Sequence, residues 1–215
     1  MAFGYHFRDD YDGSLDVKMP DLLIYCTKGS QGEKYAKDNG FDIKYRKSIK
    51  SAKVTLSKTT CTYSGKEKKP AVTVKLGSKA LKKGTDYVVT YKNNKKVGKA
   101  TVTVSGAGVY SGNVSKTFKI IPKKSSIKTL TSPKRGQLKV TCKKVSGVTG
   151  YQITYSTSKK FTKPTTGTVT VKTTGKTIKK LDGGRTYYIK VRTYKTVDGV
   201  KYLSGYSKAE KIQIQ

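Results

Sequence analysis

The stretch Asp86–Gly106, DYVVTYKNNKKVGKATVTVSG, decides the fold. Tyr87, Val89 and Tyr91 fall on one side of an extended chain, and Val88, Thr90 and Lys92 on the other. After a turn at Asn93-Asn94, Ala100, Val102 and Val104 alternate with Thr101 and Thr103 in the same way. A repeat of two is the pleat of a β-strand, and an apolar face opposed to a polar one predicts half-buried antiparallel sheet. Upstream, AKVTL sets Val54 and Leu56 on one face, and AVTVKL does the same with Val72 and Val74. Downstream, SKTFKI points Phe118 and Ile120 inward. Ser64-Gly65, Lys83-Gly84 and Ser111-Gly112 mark further turns. Short strands at this spacing predict a β-sandwich over residues 51–122.

The same logic repeats over residues 125–215, beyond the short linker IIPKKSSI, whose Pro122 cannot continue a central strand. Leu138, Val140 and Cys142 alternate with Lys139, Thr141 and Lys143; Tyr151, Ile153 and Tyr155 follow Gly150. TGTVTVKT and KTIKKL supply two more strands. Tyr187, Ile189 and Val191 then alternate with Tyr188, Lys190 and Arg192, and AEKIQIQ closes the sheet. Residues 1–45 read differently. In GSQGEKYAKDNGF, Ser30 is an N-cap with Glu33 at capping-box spacing, and Asn39-Gly40 is a left-handed stop. LLIY before this helix and FDI after it read as short strands. The fold class is therefore all-β, two tandem β-sandwiches preceded by a short α/β piece, and the resemblances below make the sandwiches Ig-like and fibronectin III-like.

Three resemblances refine this reading. Gly136–Phe161, GQLKVTCKKVSGVTGYQITYSTSKKF, with Leu181–Tyr194, LDGGRTYYIKVRTY, and Ser204–Ile214, SGYSKAEKIQI, resembles a fibronectin type III domain. The resemblance places Tyr187 at that family's tyrosine corner, six residues after Leu181, its hydroxyl tied to nearby backbone. It also places Cys142 where a buried Trp is usual, and Tyr206 where a second Trp is common. Thr62–Val74, TYSGKEKKPAVTV, and Leu81–Ile120 resemble the bacterial Ig-like repeats of the MBG kind found on Firmicute surface proteins. Leu22–Phe41, LLIYCTKGSQGEKYAKDNGF, resembles the end of a BspA-like leucine-rich repeat array. Repeat units bury their faces only against neighbours, so one terminal repeat implies the tail of a longer surface protein or a truncated gene product.

Charge separates the same segments. Of the 46 basic and 13 acidic residues that give a net +33, the stretch up to Ile43 holds eight acids (Asp9, Asp10, Asp12, Asp16, Asp21, Glu33, Asp38, Asp42) and five bases (Arg8, Lys18, Lys28, Lys34, Lys37). The remaining residues are overwhelmingly cationic, which marks a boundary near residue 43. Hydrophobic residues make up only 34%, yet 16 tyrosines and regular β-branched runs argue for packed sheet over disorder. No apolar run is long enough to span a bilayer, and no leader is legible, so the reading expects an export signal upstream. Cys26, Cys61 and Cys142 fit no zinc or disulfide spacing.

Little else points to chemistry. His6, the single histidine, lies outside both sandwiches, which removes histidine triads and most zinc sites from them. An EF-hand frame with Gly13 at its glycine puts Arg8 and Met19 at ligand positions, so that frame fails. A looser calcium site in the Asp9–Asp16 loop stays open. Glu67, Asp86, Asp182, Asp198 and Glu210 sit in turns or strand ends among lysines, without the apolar setting of a glycosidase acid; Asp86 reads as a turn-ordering side chain. The five arginines, Arg8, Arg46, Arg135, Arg185 and Arg192, are few for specific nucleic-acid recognition.

The sequence reading is thus a non-enzyme with no cofactor. It is an extracellular spacer or adhesion module of a bacterial surface protein, expected to be monomeric. The alternatives are an accessory region of a secreted carbohydrate-active enzyme or a polyanion-binding module. Partners would be anionic cell-wall polymers, or host glycans and proteins. The residues singled out as structural are Tyr187, Leu181, Cys142, Tyr151, Tyr87 and Tyr91.

Overall fold

The structure, a computed structural model, describes residues 5–6, 17–18 and 22–215. The Asp9–Asp16 loop and the His6 side chain lie outside the described residues. Near the N-terminus, β1 (Tyr5–His6) pairs antiparallel with β2 (Val17–Lys18). Next come β3 (Leu23–Cys26), α1 (Gln31–Asp38) and β4 (Asp42–Tyr45), with β3 and β4 parallel and Leu23 opposite Asp42. Parallel neighbours need a crossover, and α1 supplies it. Ser30 caps the helix, its Oγ accepting from the Glu33 N–H at 3.3 Å. The return arm differs from a simple capping box, since the Glu33 carboxylate accepts from the Gly29 N–H, one residue earlier.

Glu33 is buried at 6% exposure, an unusual place for a carboxylate. Lys37 Nζ lies 2.7 Å from Oε1, and the Tyr45 hydroxyl donates to Oε1 at 2.8 Å. Lys37, then the Gly29 N–H, then Tyr45 hold its pKa down at about 2, against an ordinary 4.5. A depressed native pKa means that the carboxylate stabilises this fold above pH 4.5 and stops doing so as pH falls through about 2. The α1 amides should therefore lose exchange protection between those two values in acid, whereas a Glu33→Gln variant should show little further change over the same range.

Contacts divide the chain into two units. The first comprises Met1–Thr55, Val72–Thr90 and Thr103–Lys116; the second comprises Leu56–Ala71, Tyr91–Val102 and Thr117–Gln215. The strands between are β5 (Lys47–Ser48), β6 (Lys53–Leu56), β7 (Thr60–Thr62), β8 (Val72–Leu76), β9 (Lys79–Ala80), β10 (Tyr87–Lys92), β11 (Gly98–Gly106), β12 (Tyr110–Ser111) and β13 (Asn113–Ile121). They form sheets of order β6-β8-β9 and β10-β11-β13-β7, with β5 parallel to β12. In the first unit, Val54, Val74, Tyr87, Val104 and Tyr110 bury together with Ile49. Ile49 is fully buried, so this core begins upstream of Ser51. In the second unit, Ala100, Phe118 and Ile120 form a smaller cluster covered by Leu56, Cys61, Tyr63 and Tyr91. The alternation behaves as read: Val102 and Ile120 are 0% exposed, and outward Val88 is 46% exposed.

Also in the second unit are β14 (Ile127–Thr131), β15 (Leu138–Cys142), β16 (Gly150–Ser156), β17 (Thr166–Val171), β18 (Gly175–Ile178), β19 (Thr186–Val197), β20 (Val200–Leu203) and β21 (Glu210–Gln213). Two sheets, β14-β15-β18 and β17-β16-β19-β20, face each other, with β21 pairing the first half of the long β19. Leu138, Val140, Ile153, Ile189, Val191 and Ile214 fill the space between them. The chain is an all-β protein of Ig-like and fibronectin III-like sandwiches. The segment read as a linker is wired in. Ser125 is 4% exposed and its hydroxyl donates to the Lys143 carbonyl at 2.6 Å, while the Thr193 hydroxyl donates to that of Lys123.

Candidate functional site

The tyrosines singled out from sequence are anchoring posts. The Tyr187 hydroxyl accepts from the Asp182 N–H at 3.3 Å, and its ring sits 6.4 Å from that of Tyr155. Leu181, just before Asp182, packs on the same core and donates its N–H to the Gly136 carbonyl at 3.1 Å. The Tyr151 hydroxyl accepts from the Val145 N–H at 2.8 Å. In the first unit the Tyr87 hydroxyl donates to the Val72 carbonyl at 3.1 Å, and burial raises its pKa. In the second unit the Tyr91 hydroxyl donates to the Pro70 carbonyl at 2.7 Å. Each pins a loop or strand end to a neighbour, worth about 0.5–1.5 kcal/mol per bond. A Tyr187→Phe variant should lose about 1 kcal/mol of stability, read as a lower unfolding midpoint in urea with an unchanged slope.

Cys142 is 2% exposed among Leu138, Val140 and Ile153, and desolvation pushes its thiol up to about 11. A thiol held so far above neutrality carries almost no thiolate, so it is a packing residue and a poor nucleophile. Cys26 is also buried and free, and Cys61 is half-buried and free.

A second constellation went unread in the sequence. On the outer face of the β16–β19 pair, side chains stack in a row. Lys190 Nζ lies 3.8 Å from the centre of the Phe161 ring and 4.5 Å from that of Tyr206. The central guanidinium carbon of Arg192 lies 4.3 Å from the centre of the same Tyr206 ring, and Arg192 Nε donates to Gln152 Oε1 at 2.6 Å. The Tyr206 hydroxyl shares a hydrogen bond with Thr154 Oγ1 at 3.1 Å. Lys190 and Arg192 reach one face because they stand two apart on a strand. Tyr206 reaches it because Ser204 and Ser207 hold their segment beside β19. Ser204 Oγ accepts from the Thr193 N–H and Ser207 Oγ from the Val191 N–H, both at 3.0 Å. Serine oxygens thus stand in for missing strand carbonyls where β20 gives way to β21. Cation–aromatic contacts contribute about 0.5–2 kcal/mol each. The signal was the i, i+2 cations opposite an SGYS segment, legible only once both are known to border the same strand.

The acids are dispersed into local duties. Asp86 Oδ2 accepts from the Lys82 N–H at 2.8 Å, closing the turn before β10. Glu67 pairs with Lys69 at 2.7 Å, which lowers its pKa, the opposite of what a general acid needs. Asp182 lies 3.6 Å from Arg185. Among the described residues, no three His, Cys, Asp or Glu side chains gather so as to hold a metal ion, and no helix is long and apolar enough to cross a membrane. A cleft of about 680 Å³ in the second unit is lined by Asn93–Lys99 and by Val197, Asp198, Val200 and Tyr202.

No protein-family profile matches the chain, and no curated protein matches it. Among solved structures, the chain is similar to domains A168-A170 from titin, at 14% identity and a TM-score of 0.36, covering 75% of this chain and 65% of that one. It is also similar to the chicken CNTN1 FN1-FN3 domains, at 15% identity and a TM-score of 0.34, covering 74% and 64%. The chain thus spans under two thirds of the length of either.

Proposed function

We propose that the chain is a non-catalytic extracellular spacer or adhesion module of a bacterial surface protein, presenting or anchoring a binding region. The observation that carries this reading is how the strand ends are tied. In the first unit β12 runs parallel to β5, with the Lys47 N–H donating to the Val109 carbonyl and the Ile49 N–H to that of Ser111. In the second unit β13 runs parallel to β7, with the Lys119 N–H donating to the Thr59 carbonyl and the Tyr63 N–H to that of Ile121. Opposed pulls on a chain tied by such pairs slide the parallel strands of each pair past one another. Their bonds are then strained together, whereas a hairpin opens one bond at a time. Such a module holds its shape under tension, as a spacer must.

Stretching the single chain from its two ends tests this. Unfolding of residues 47–121 should release about 250 Å of chain at a higher force than unfolding of residues 127–214. A Tyr63→Pro variant, which removes one donor of the parallel pair, should lower the first force and leave the second unchanged. Extension without discrete events, or equal forces for both, would defeat the spacer reading. A second reading rests on charge: the cationic surface from Lys44 onward supports attraction to anionic wall polymers or host glycans.

A further inference from the structure

The edges of the two sandwiches are guarded unevenly. Lys53 on β6, Lys79 on β9, Lys92 on β10, Lys128 on β14, Lys176 on β18 and Lys201 on β20 each put a charge on an outer strand. Such lysines keep unpaired backbone groups from recruiting other strands. Two outer strands depart from this pattern, the three-residue β7, Thr-Cys-Thr, and the longer β17. β17 is an outer strand of the five-stranded sheet, pairs with β16 through six residues, and reads Thr-Gly-Thr-Val-Thr-Val without a charge or a proline. Its side chains alternate cleanly, with Thr168 and Thr170 exposed and Val169 and Val171 packed on the core. The ring of Tyr155 fills the space beside Gly167, where a Cβ would sit 2.3 Å from the ring carbon Cζ, so the one glycine is braced against loosening the strand. β-branched, uncharged and straight, this is the composition that pairs most readily.

Charge is concentrated at its two ends instead. Lys159, Lys160 and Lys163 precede the strand and Lys172 follows it, all exposed. We propose that the β17 edge is an interaction surface that accepts an extended acidic peptide as an added strand. Main-chain hydrogen bonds to residues 166–171 supply the affinity. Carboxylates about 20 Å apart, at either end of the added six-residue strand, meet the two lysine groups and set the register. A second copy of this chain would instead bring its own excess of positive charge, a net +33, to the same edge. This surface lies apart from the terminal strand pairs that support the spacer reading, and it stands or falls independently of them.

The test uses the whole chain and a synthetic peptide, Glu-Glu-Val-Thr-Val-Thr-Val-Glu, beside the same peptide with alternate amides N-methylated. The parent peptide should slow amide exchange across residues 166–171 by about tenfold or more, still measurably at about 300 mM salt, and the methylated one should not. A Thr170→Pro variant should lose the protection while the β19 amides keep theirs; if that variant does not fold, the methylated peptide decides alone. Equal binding by the methylated peptide or by polyglutamate would mean charge attraction only and would overturn the proposal. Protection of β17 without peptide, together with a doubled mass in sedimentation, would assign the edge to a second copy and overturn it as well.

Discussion

Replacing Phe118 by alanine is expected to remove most of the stability of the sandwich that the sequence places over residues 51–122. Phe118 is 2% exposed and stands edge-on to Tyr91, with ring centres 6.5 Å apart. Its cluster is small: Ala100 and Ile120 are the other buried members, and only the partly buried Leu56, Cys61, Tyr63 and Tyr91 cover it. Truncating a buried phenylalanine costs about 3–5 kcal/mol, transfer and cavity contributions together. A sandwich of this length has roughly 4–11 kcal/mol of stability in all, at 0.05–0.15 kcal/mol per residue. The Phe118→Ala protein should therefore show two separated melting transitions, the first shifted strongly downward. The second should stay near its original temperature, because Leu138, Ile153, Ile189 and Ile214 pack in a separate cluster. Phe118→Leu, which leaves a smaller void, should shift the first transition much less. Differential scanning calorimetry of the three proteins reads both transitions at once, and a single transition moving as a whole would mean that the two cores melt as one.

The inward and outward faces of the strands were legible because alternation is a local property: Tyr87 and Val88 differ in burial for no reason beyond their neighbouring positions. Chain ends were less legible. Ile49 sits outside any alternating run, and only the parallel pairing of β5 with β12 brings it into the core. The β19–β20 hairpin carries the strongest short turn signal, Asp198-Gly199, with φ of 48° and 74°. The sequence places Asp198 in a turn or strand end, but the half-polar residues on either side show no clean apolar face that would extend the turn into a hairpin. The row from Phe161 to Gln152 was invisible for a different reason. Its members are spread over a loop, two strands and a strand junction, and no period links them. Glu33 was legible as a capping residue. Its bond to Tyr45 was not, since that contact needs β4 folded back beside β3.

Polyanion binding is the other large expected effect, and it separates general charge from a shaped site. Most of the 46 basic residues lie beyond Ile43, where the acids are only Glu67, Asp86, Asp182, Asp198 and Glu210. A field of that sign attracts any polyanion, and the lysines stand on outward positions of many strands, not along one groove. Release of counterions should then dominate. For six to ten contacts, affinity should fall by about 10³–10⁵ between about 50 and 200 mM salt, linearly on logarithmic axes. Heparin and duplex DNA at matched charge density should compete nearly equally. Lys190, stacked on Phe161 and Tyr206, and Arg192, stacked on Tyr206, are neighbouring cations held in fixed positions on one face, and so are the pair to test. If the attraction is only a field, Arg192→Gln should weaken both polymers alike and reduce the salt slope by about one contact's worth, roughly 0.9. A loss confined to heparin, or an affinity that persists at high salt, would mean instead that the Phe161–Gln152 row forms a specific anion-binding face on the sheet.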